Sequence, residues 1–472
     1  MLTTSYMEVV MFFDRDNDLE NLNALYADNI FHFVTLYAAS GLGKTRFLNT
    51  FFKGKDVLYF SASDTTETEN VRQLSFLCCQ VFSLPEHSLS SIEDIFAYIT
   101  DISRRKRIVF VIDNIEYLLR NSKTFSQRLN DLIASINKSI RLFLIVCRRN
   151  TLDYKSGGKN VLADIENSSF ETLTLRPFTY FEMHQMFPSY CAEDLLCLFA
   201  LTGGYPGYFK YFTTYQTFDD AIKANYFAPY APLAQLAESL LDTEFRETAT
   251  YRAILASLGD ASMKVHEILE STALSSSATS NLLLSLVGAL FVKKITSATD
   301  EDSGRKTLYR ISHPILRFWF AFVYPNKSAI FRNLGEDVYL EKIKPKLLDY
   351  CETPFQDICR QYILTNPFFV DIYGEFPQIG ESWGFHPTKK YPQSADIAAK
   401  NDNMLLLGNC FWSDDWVDIS CIHELIDYAN QFDAAKKRYC LFAKKEFAEN
   451  IEQLYSDSVY LITLKDMYEL KH

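Results

Sequence analysis

The sequence predicts an α/β fold built on a parallel sheet, and three stretches carry that expectation. "FHFVTLYAASGLGKTRFLNTFF" (31–52) runs from an apolar, β-branched and aromatic segment through small residues into helical spacing, which reads as strand, loop, helix. "RIVFVIDNI" (107–115) holds an unbroken apolar run from Ile108 to Ile112 that ends in Asp113, as a strand buried on both faces of a parallel sheet does. "IRLFLIVCRRN" (140–150) is a third strand of the same kind. "DVLYFSA" (56–62) is a fourth, reached from the first helix by a right-handed crossover.

The chain is 472 residues long, so about three domains are expected from ordinary domain sizes. Hydrophobic residues make up 48% and charged residues 22%, a globular balance without low-complexity tracts. The apolar runs stop within about ten residues, short of the roughly 20 needed to cross a bilayer, and the amino terminus lacks the basic start and apolar core of a secretory signal. These features imply no membrane association and a cytoplasmic protein. Ten cysteines without a CxxC or Cys/His ligand spacing read as reduced, mostly buried small hydrophobes. A formal net charge of −12 disfavours non-specific attraction to nucleic acid, which depends on Lys and Arg neutralising phosphates.

"AASGLGKT" (38–45) fits the phosphate-loop pattern G-x-x-x-x-G-K-[ST] at every defined position except the first, where Ala38 stands for glycine. Gly43 lets the backbone approach phosphate, Lys44 reaches the β- and γ-phosphates, and the Thr45 hydroxyl takes a place on Mg²⁺. The helix start adds the positive end of its dipole. Alanine at position 38 costs little if its φ is negative, and Gly41 supplies further freedom inside the loop. Asp113 at its strand end is placed to orient Mg²⁺. Many such proteins follow that Asp with a Glu that polarises water, but here the next residue is Asn114, and an amide is a poor general base. Glu116 is the nearest alternative. Arg148 and Arg149 close the third strand at the edge where open α/β sheets bind ligands, either contacting a γ-phosphate or standing as ordinary solvated or acid-paired arginines.

Residues 250–312 read as helix, helix, turn, helix and a two-stranded wing, with the polar "SATDEDSGRK" (297–306) as wing tip. The helix that would read DNA has no Lys or Arg from Ser275 to Leu290, so DNA binding is possible but disfavoured, and an internal switch or packing role is favoured. His313 reads as structural, and the aromatics of "HPILRFWFAFVYPN" (313–326) as core at a domain junction.

With the loop, the Asp113 strand and the box "LTLRPFTYFEMHQMFPSY" (173–190), the chain resembles the archaeal-type ATPases, a branch of the STAND/AAA+ P-loop NTPases, nearly from end to end. "FFDRDNDLENLNALY" (12–26) is similar to the family opening F-x-[ND]-R-x-x-E-L, with Arg15, Asp18 and Leu19 in matching places, and the resemblance puts that segment beside the adenine. "LTGGYPGYF" (201–209) matches the family's lid motif, which implies that Gly203, Gly204 and Pro206 approach the nucleotide. The implied ligands are ATP or ADP with Mg²⁺. Arg15, Ala38, Ser40, Gly41, Gly43, Lys44, Thr45, Arg46, Gly203, Gly204 and Pro206 form the cofactor-binding set, with Thr45 and Asp113 on the metal.

The resemblance also implies a restriction-endonuclease-like α/β domain of the PD-(D/E)XK kind in the carboxyl third. At the matching positions Asp396 survives, but the helical Glu is Gln356, the strand Glu is Asn409 and the lysine is Phe411. One carboxylate without a lysine does not make the metal site that activates water, so nuclease activity is not expected. Asp357, Glu352, Asp414 and Asp415 are the other carboxylates nearby. The aromatic "NCFWSDDW" (409–416) reads as packing or a protein-partner surface. The expected organisation is a P-loop nucleotide-binding core over 1–190, a helical lid over 191–245, a winged helix over 246–327 and the degenerate nuclease-like domain over 328–472. The leading expectation is an ATP-binding switch with weak or absent hydrolysis. The alternatives are a slow ATPase using Glu116, Arg148 or Arg149, and a DNA-associated protein. No sequence pattern specifies an oligomeric state.

Overall fold

Strands that are apolar along their whole length can only sit in the middle of a sheet covered on both faces, and the computed structural model places them there. It describes residues 15–85, 88–122, 124–149, 155–156, 159–160, 171–299, 307–369, 378–401, 404–454 and 458–469. The chain divides into two compact units: Met1–Pro177 with Tyr205–Gly207 and Gly288–Leu290, and the remainder. Residues 12–14 of the opening box and 300–306 of the expected wing tip lie outside the described residues.

In the first unit, β1 (His32–Tyr37), β2 (Val57–Ser61), β3 (Ile108–Asp113), β4 (Leu142–Arg148) and β5 (Glu171–Thr174) form one sheet in the order β2-β3-β4-β1-β5. All its pairings are parallel. β4 therefore lies between β1 and β3, and the segments that leave β1 and β3 emerge on either side of its carboxyl end. Helices α1 (Asp16–Ala27), α2 (Lys44–Phe51), α3 (Glu67–Phe82), α4 (Ile92–Ser103), α5 (Glu116–Asn121) and α6 (Phe125–Ser135) complete the unit. Their starts are legible: Thr66 accepts from the Glu69 N–H to cap α3, and Ser91 with Asp94 forms a capping box on α4. Phe96, Ile99, Phe110, Leu142 and Leu144 belong to the core that these helices close over one sheet face.

The second unit begins with helices α7 (Tyr180–Met186), α8 (Ala192–Thr202), α9 (Pro206–Thr213, whose first two residues belong to the first unit), α10 (Phe218–Ile222) and α11 (Pro232–Glu244). Then come α12 (Ala249–Leu258), α13 (Val265–Thr272), α14 (Ser276–Gly288) and the antiparallel hairpin β6 (Val292–Thr296) and β7 (Thr307–Ile311). After α15 (Pro314–Phe318), the long α16 (Leu347–Thr365) leads into β8 (Ile379–Phe385), β9 (Pro392–Lys400) and β10 (Met404–Phe411). α17 (Ser420–Ala429) then crosses to β11 (Lys436–Ala443), followed by α18 (Glu449–Leu454), β12 (Val459–Thr463) and α19 (Leu464–Glu469). This second sheet is mixed: β8-β9-β10 is antiparallel and β10-β11-β12 parallel.

The two strands of the expected wing form an antiparallel hairpin, and the described start of its expected tip is engaged elsewhere in the unit. Of the stretch read as wing tip, residues 297–299 lie against β8: the Ala298 N–H donates to the Glu381 carbonyl at 2.8 Å, and the Thr299 and Ser382 hydroxyls meet at 2.5 Å. Ser, Ala and Thr are small enough to let the two backbones approach. Lys293 and Arg310 stand opposite each other on the hairpin, an arrangement that repels unless countered. Asp357 on α16 counters Lys293 at 3.4 Å, and Glu381 on β8 counters Arg310 at 2.6 Å. Residues 297–299 are thus docked rather than presented to solvent. His313 is buried beside the Tyr208 hydroxyl, 3.2 Å from Nε2, and burial pushes its imidazole down to about 3, so it is a neutral core histidine. All ten cysteines are free thiols.

Gly204 shows how tightly the second unit is drawn together. Its φ is +74°, its carbonyl accepts from the Phe178 N–H at 2.9 Å, and a Cβ added to it would lie 1.9 Å from the Phe178 carbonyl oxygen. Gly204→Ala should therefore combine left-handed strain with a backbone clash and cost at least about 3 kcal/mol, read as a lowered urea midpoint or loss of soluble protein.

Candidate nucleotide site

The loop after β1 is organised by its glycines. Gly41 (φ +90°) and Gly43 (φ +83°) take left-handed conformations, and α2 starts at Lys44 directly after Gly43. Ala38 is not among the residues of positive φ, so the missing first glycine costs no backbone strain; its N–H donates to the Arg148 carbonyl at 2.9 Å, tying the loop entrance to the end of β4. Ser40 and Thr45 are exposed and Arg46 is half-buried. The Gly41 carbonyl accepts from the Gly207 N–H at 2.9 Å, and a Cβ on Gly207 would lie 2.9 Å from that same oxygen. Pro206 comes within 3.6 Å of where a Cβ on Gly43 would stand.

Across the end of β4, Lys44 Nζ pairs with Asp113 Oδ1. The Asn114 N–H donates to that oxygen at 2.7 Å, and the Tyr59 hydroxyl donates to Oδ2 at 2.5 Å. Asp113 is only 4% exposed, and these donors give the buried carboxylate its hydrogen-bond partners. Burial and the contact with Asp113 raise the Tyr59 phenol well above its ordinary value, leaving it a neutral donor. Asn114 takes φ +54°, a conformation asparagine tolerates better than most residues, and its amide donates to the Ser61 hydroxyl at 3.0 Å.

Glu116 does turn inward. It is 2% exposed, its Oε1 accepts from the Arg149 N–H, and its Oε2 is buried without a hydrogen-bond partner. The two arginines do not converge with it through their side chains. Arg148, 3% exposed, donates to the Tyr37 hydroxyl and lies 4.9 Å over that ring, while the Arg149 guanidinium lies 4.9 Å over Tyr117. Arg15 is buried at the start of α1, donating to the Arg176 carbonyl and 3.7 Å from Asp18. Gly203 and Gly204 lie in the second unit. Gly203 caps α8 with φ +58°, and a Cβ on it would stand 3.0 Å from Pro314 Cγ. Sequence reasoning passed over Tyr59, Ser61 and Gly207. Tyr59 and Ser61 become visible only once register pairs β2 with β3, Tyr59↔Val111 and Ser61↔Asp113.

The donor set suits a magnesium–nucleotide group: a loop with two left-handed glycines, a helix amino terminus, an open Thr45 hydroxyl and a carboxylate in reach of one lysine, all hard oxygen or N–H partners.

A second cluster lies in the mixed sheet, where Gln356, Asp396 and Asn409 meet. Gln356 Nε2 donates to Asp396 Oδ1 at 3.1 Å, the Cys410 N–H donates to Oδ2 at 2.9 Å, and Asn409 Oδ1 accepts from the Asp396 N–H at 3.3 Å. Phe411 packs on the sheet core. Burial pushes Asp396 up to about 6. Asp357 is held well below the carboxylate range: burial alone would raise it, but the Lys293 and Arg360 charges outweigh burial. Asp414 is taken up by Lys444 at 2.8 Å and Lys445 at 3.1 Å. Among the described residues no group of three or more His, Cys, Asp or Glu is placed to hold a metal ion, and no helix is long and apolar enough to cross a membrane.

A family model for an AAA domain matches residues 32–152, and one described as archaeal and bacterial proteins of unknown function matches 319–422. An uncharacterized protein of Methanocaldococcus jannaschii is 22% identical over 403 residues, covering 83% of this chain and 85% of its own. Among solved structures, a Walker-type ATPase of Pyrococcus abyssi superposes with a TM-score of 0.50 at 15% identity, over 66% of this chain and 96% of that one; the likeness is one of fold.

Two outcomes follow from these geometries. Lys44→Ala should cost roughly 3 kcal/mol in unfolding free energy by leaving Asp113 buried without its cation, and adding Asp113→Asn should recover part of the loss in a double-mutant cycle. Asp396 has a folded-state value of about 6 against an ordinary 3.8, so the folded chain binds that proton more tightly than the unfolded one. Its contribution is therefore most favourable below the ordinary value and is lost as pH rises through 6. Asp396→Asn should be the more stable protein at pH 8, by roughly 2 kcal/mol, with the advantage gone near pH 4 in paired urea titrations.

Proposed function

We propose, from the chain's standing as an archaeal-type AAA+ ATPase, that it is an ATP-binding switch protein of the STAND kind with slow or absent hydrolysis and a C-terminal domain that keeps a nuclease-like fold without nuclease chemistry. The observation that carries the reading is the end of β3. Asp113 is in place to serve Mg²⁺, but the next side chain is an amide turned to Ser61, and Glu116 is engaged with the Arg149 backbone. Binding groups are present, while the position after Asp113 carries no carboxylate and Glu116 has one of its two oxygens held by the Arg149 N–H. The residues from Ala38 to Thr45, with Pro206, would hold the phosphates, and Thr45 with Asp113 the metal. Held by Thr45 and Asp113, a metal ion would supply positive charge against the phosphates. Lys44 would then exchange Asp113 for phosphate, and a contact that exists in one nucleotide state and not the other is what biases a switch.

The domain divisions at 190, 245 and 327 belong to this proposal, as does the winged-helix reading of α12, α13, α14 and the β6–β7 hairpin. That hairpin's engagement with β8 and the absence of Lys and Arg from α14 argue for an internal role over DNA binding. Gln356 and Asn409 on either side of Asp396 are amides in positions where metal-dependent phosphodiester cleavage needs carboxylates. Of the aromatics in 409–416, Trp412 packs at 5.0 Å from Phe355, while Trp416 is 64% exposed and offers a surface to a protein partner. The reading places the protein in the cytoplasm.

A second reading, a slow ATPase, is favoured by the buried, unpartnered Glu116 Oε2. The two are separated by measuring the nucleotide that accompanies the purified chain, with its phosphate count, and ATP turnover in parallel. The switch reading expects retained ATP or ADP, loss of retention in Lys44→Ala, and turnover near background that Asn114→Glu raises despite some strain at φ +54°. Substantial wild-type turnover that Asn114→Glu leaves unaltered and Glu116→Gln abolishes would establish the enzyme instead.

A further inference from the structure

Asp113 is held at both oxygens, but its partners on the two are unequal. Oδ1 carries Lys44 and the Asn114 N–H; Oδ2 carries the Tyr59 hydroxyl at 2.5 Å. Of the side chains on Asp113, Lys44 is the mobile one, an ammonium on a flexible stem at the first residue of α2, in the loop that would receive phosphate. Tyr59 is anchored differently. It sits mid-strand in β2, its backbone registered with Val111, and its ring packs edge-on to Phe52 at 6.0 Å. It reaches two residues along the neighbouring strand, so its hydroxyl position is set by the sheet and not by the loop.

On the reading that this chain binds Mg²⁺–nucleotide, we infer that Tyr59 is the positioning residue that keeps Asp113 aimed at the metal after Lys44 leaves it for phosphate. Once the ammonium withdraws, Asp113 is a buried carboxylate whose side chain could rotate about its own bonds. The Tyr59 hydroxyl pins Oδ2, and the Asn114 N–H limits the travel of Oδ1, so the carboxylate keeps its orientation. Hydrogen bonds to ligating carboxylates act this way in general: they fix the oxygen that faces the ion, and losing one costs about 10- to 100-fold in metal affinity. A phenylalanine at 59 would keep the ring packing on Phe52 and remove only the donor.

The test is calorimetric binding of ATP and ADP to the full chain at graded free Mg²⁺, with EDTA as the metal-free limit. For Tyr59→Phe the Mg²⁺ concentration giving half-maximal ATP affinity should rise about tenfold or more, while ADP affinity in EDTA stays at the wild-type value. Tyr59→Met, which fills part of the ring's space and likewise lacks the donor, should show the same shift and serves if the Phe variant is unstable. In an Asp113→Asn background Tyr59→Phe should add no further shift, which a merely structural role would not produce. If wild type binds nucleotide and Tyr59→Phe has the same Mg²⁺ dependence, the inference about Tyr59 is overturned and nucleotide binding stands. Equal loss of ATP and ADP affinity with and without Mg²⁺ likewise overturns it, by making Tyr59 structural. If wild type binds neither nucleotide, the binding reading itself falls.

Discussion

The pairing of Lys44 with Asp113 is the interaction on which the first unit's site depends. It joins the loop after β1 to the end of β3, and it requires β4 between them with its carboxyl end open. A buried carboxylate is costly in isolation, so the surrounding donors have to be supplied by neighbouring strands: Tyr59 from β2 and the backbone of Asn114 from the turn after β3. The same logic organises the strand ends nearby. Glu116 closes over the Arg149 N–H, and Arg148 donates to the Tyr37 hydroxyl. Lys44 is engaged with Asp113.

The second unit handles charge in a different way. Lys293 and Arg310 face each other across the hairpin and are neutralised by Asp357 and Glu381 from α16 and β8, which makes the hairpin part of the mixed sheet's framework. Beside them, two amides and one acid make a hydrogen-bond network. Gln356 supplies a donor where a carboxylate would repel Asp396, and Asn409 accepts from the Asp396 N–H. Burial pushes Asp396 up to about 6, with the Cys410 N–H and the nearby Arg360 charge offsetting only part of it.

Much of this was legible in the linear sequence because it rests on local chemistry. Fully apolar runs announced β3 and β4, the glycines of residues 38–45 announced the loop, and Ala38 was tolerable for the reason that could be anticipated, since its φ is not positive. The matched positions 356, 396 and 409 do come together. The two-stranded hairpin after α14 is present as expected; of the polar stretch between its strands, residues 297–299 are small and lie close against β8, while 300–306 lie outside the described residues. Gly203 and Gly204 also have packing reasons to be glycine: both take positive φ, an added Cβ would crowd Pro314 at 3.0 Å from Gly203, and at Gly204 it would clash with the Phe178 carbonyl oxygen at 1.9 Å.

By itself the sequence determined the strand, loop and helix that carry Lys44 and Thr45, the absence of a carboxylate at position 114, and the amides at 356 and 409, because each of these is a matter of residue type and spacing along one segment. Only the tertiary structure decided that Tyr59 would reach Asp113, that Arg148 would be spent on Tyr37, and that Glu116 would be turned to the Arg149 backbone. Those outcomes depend on strand order and register, which place β4 between β1 and β3 and set Ser61 beside Asp113. A one-residue change in register would invert which face each side chain occupies, and no local pattern in the chain encodes that choice.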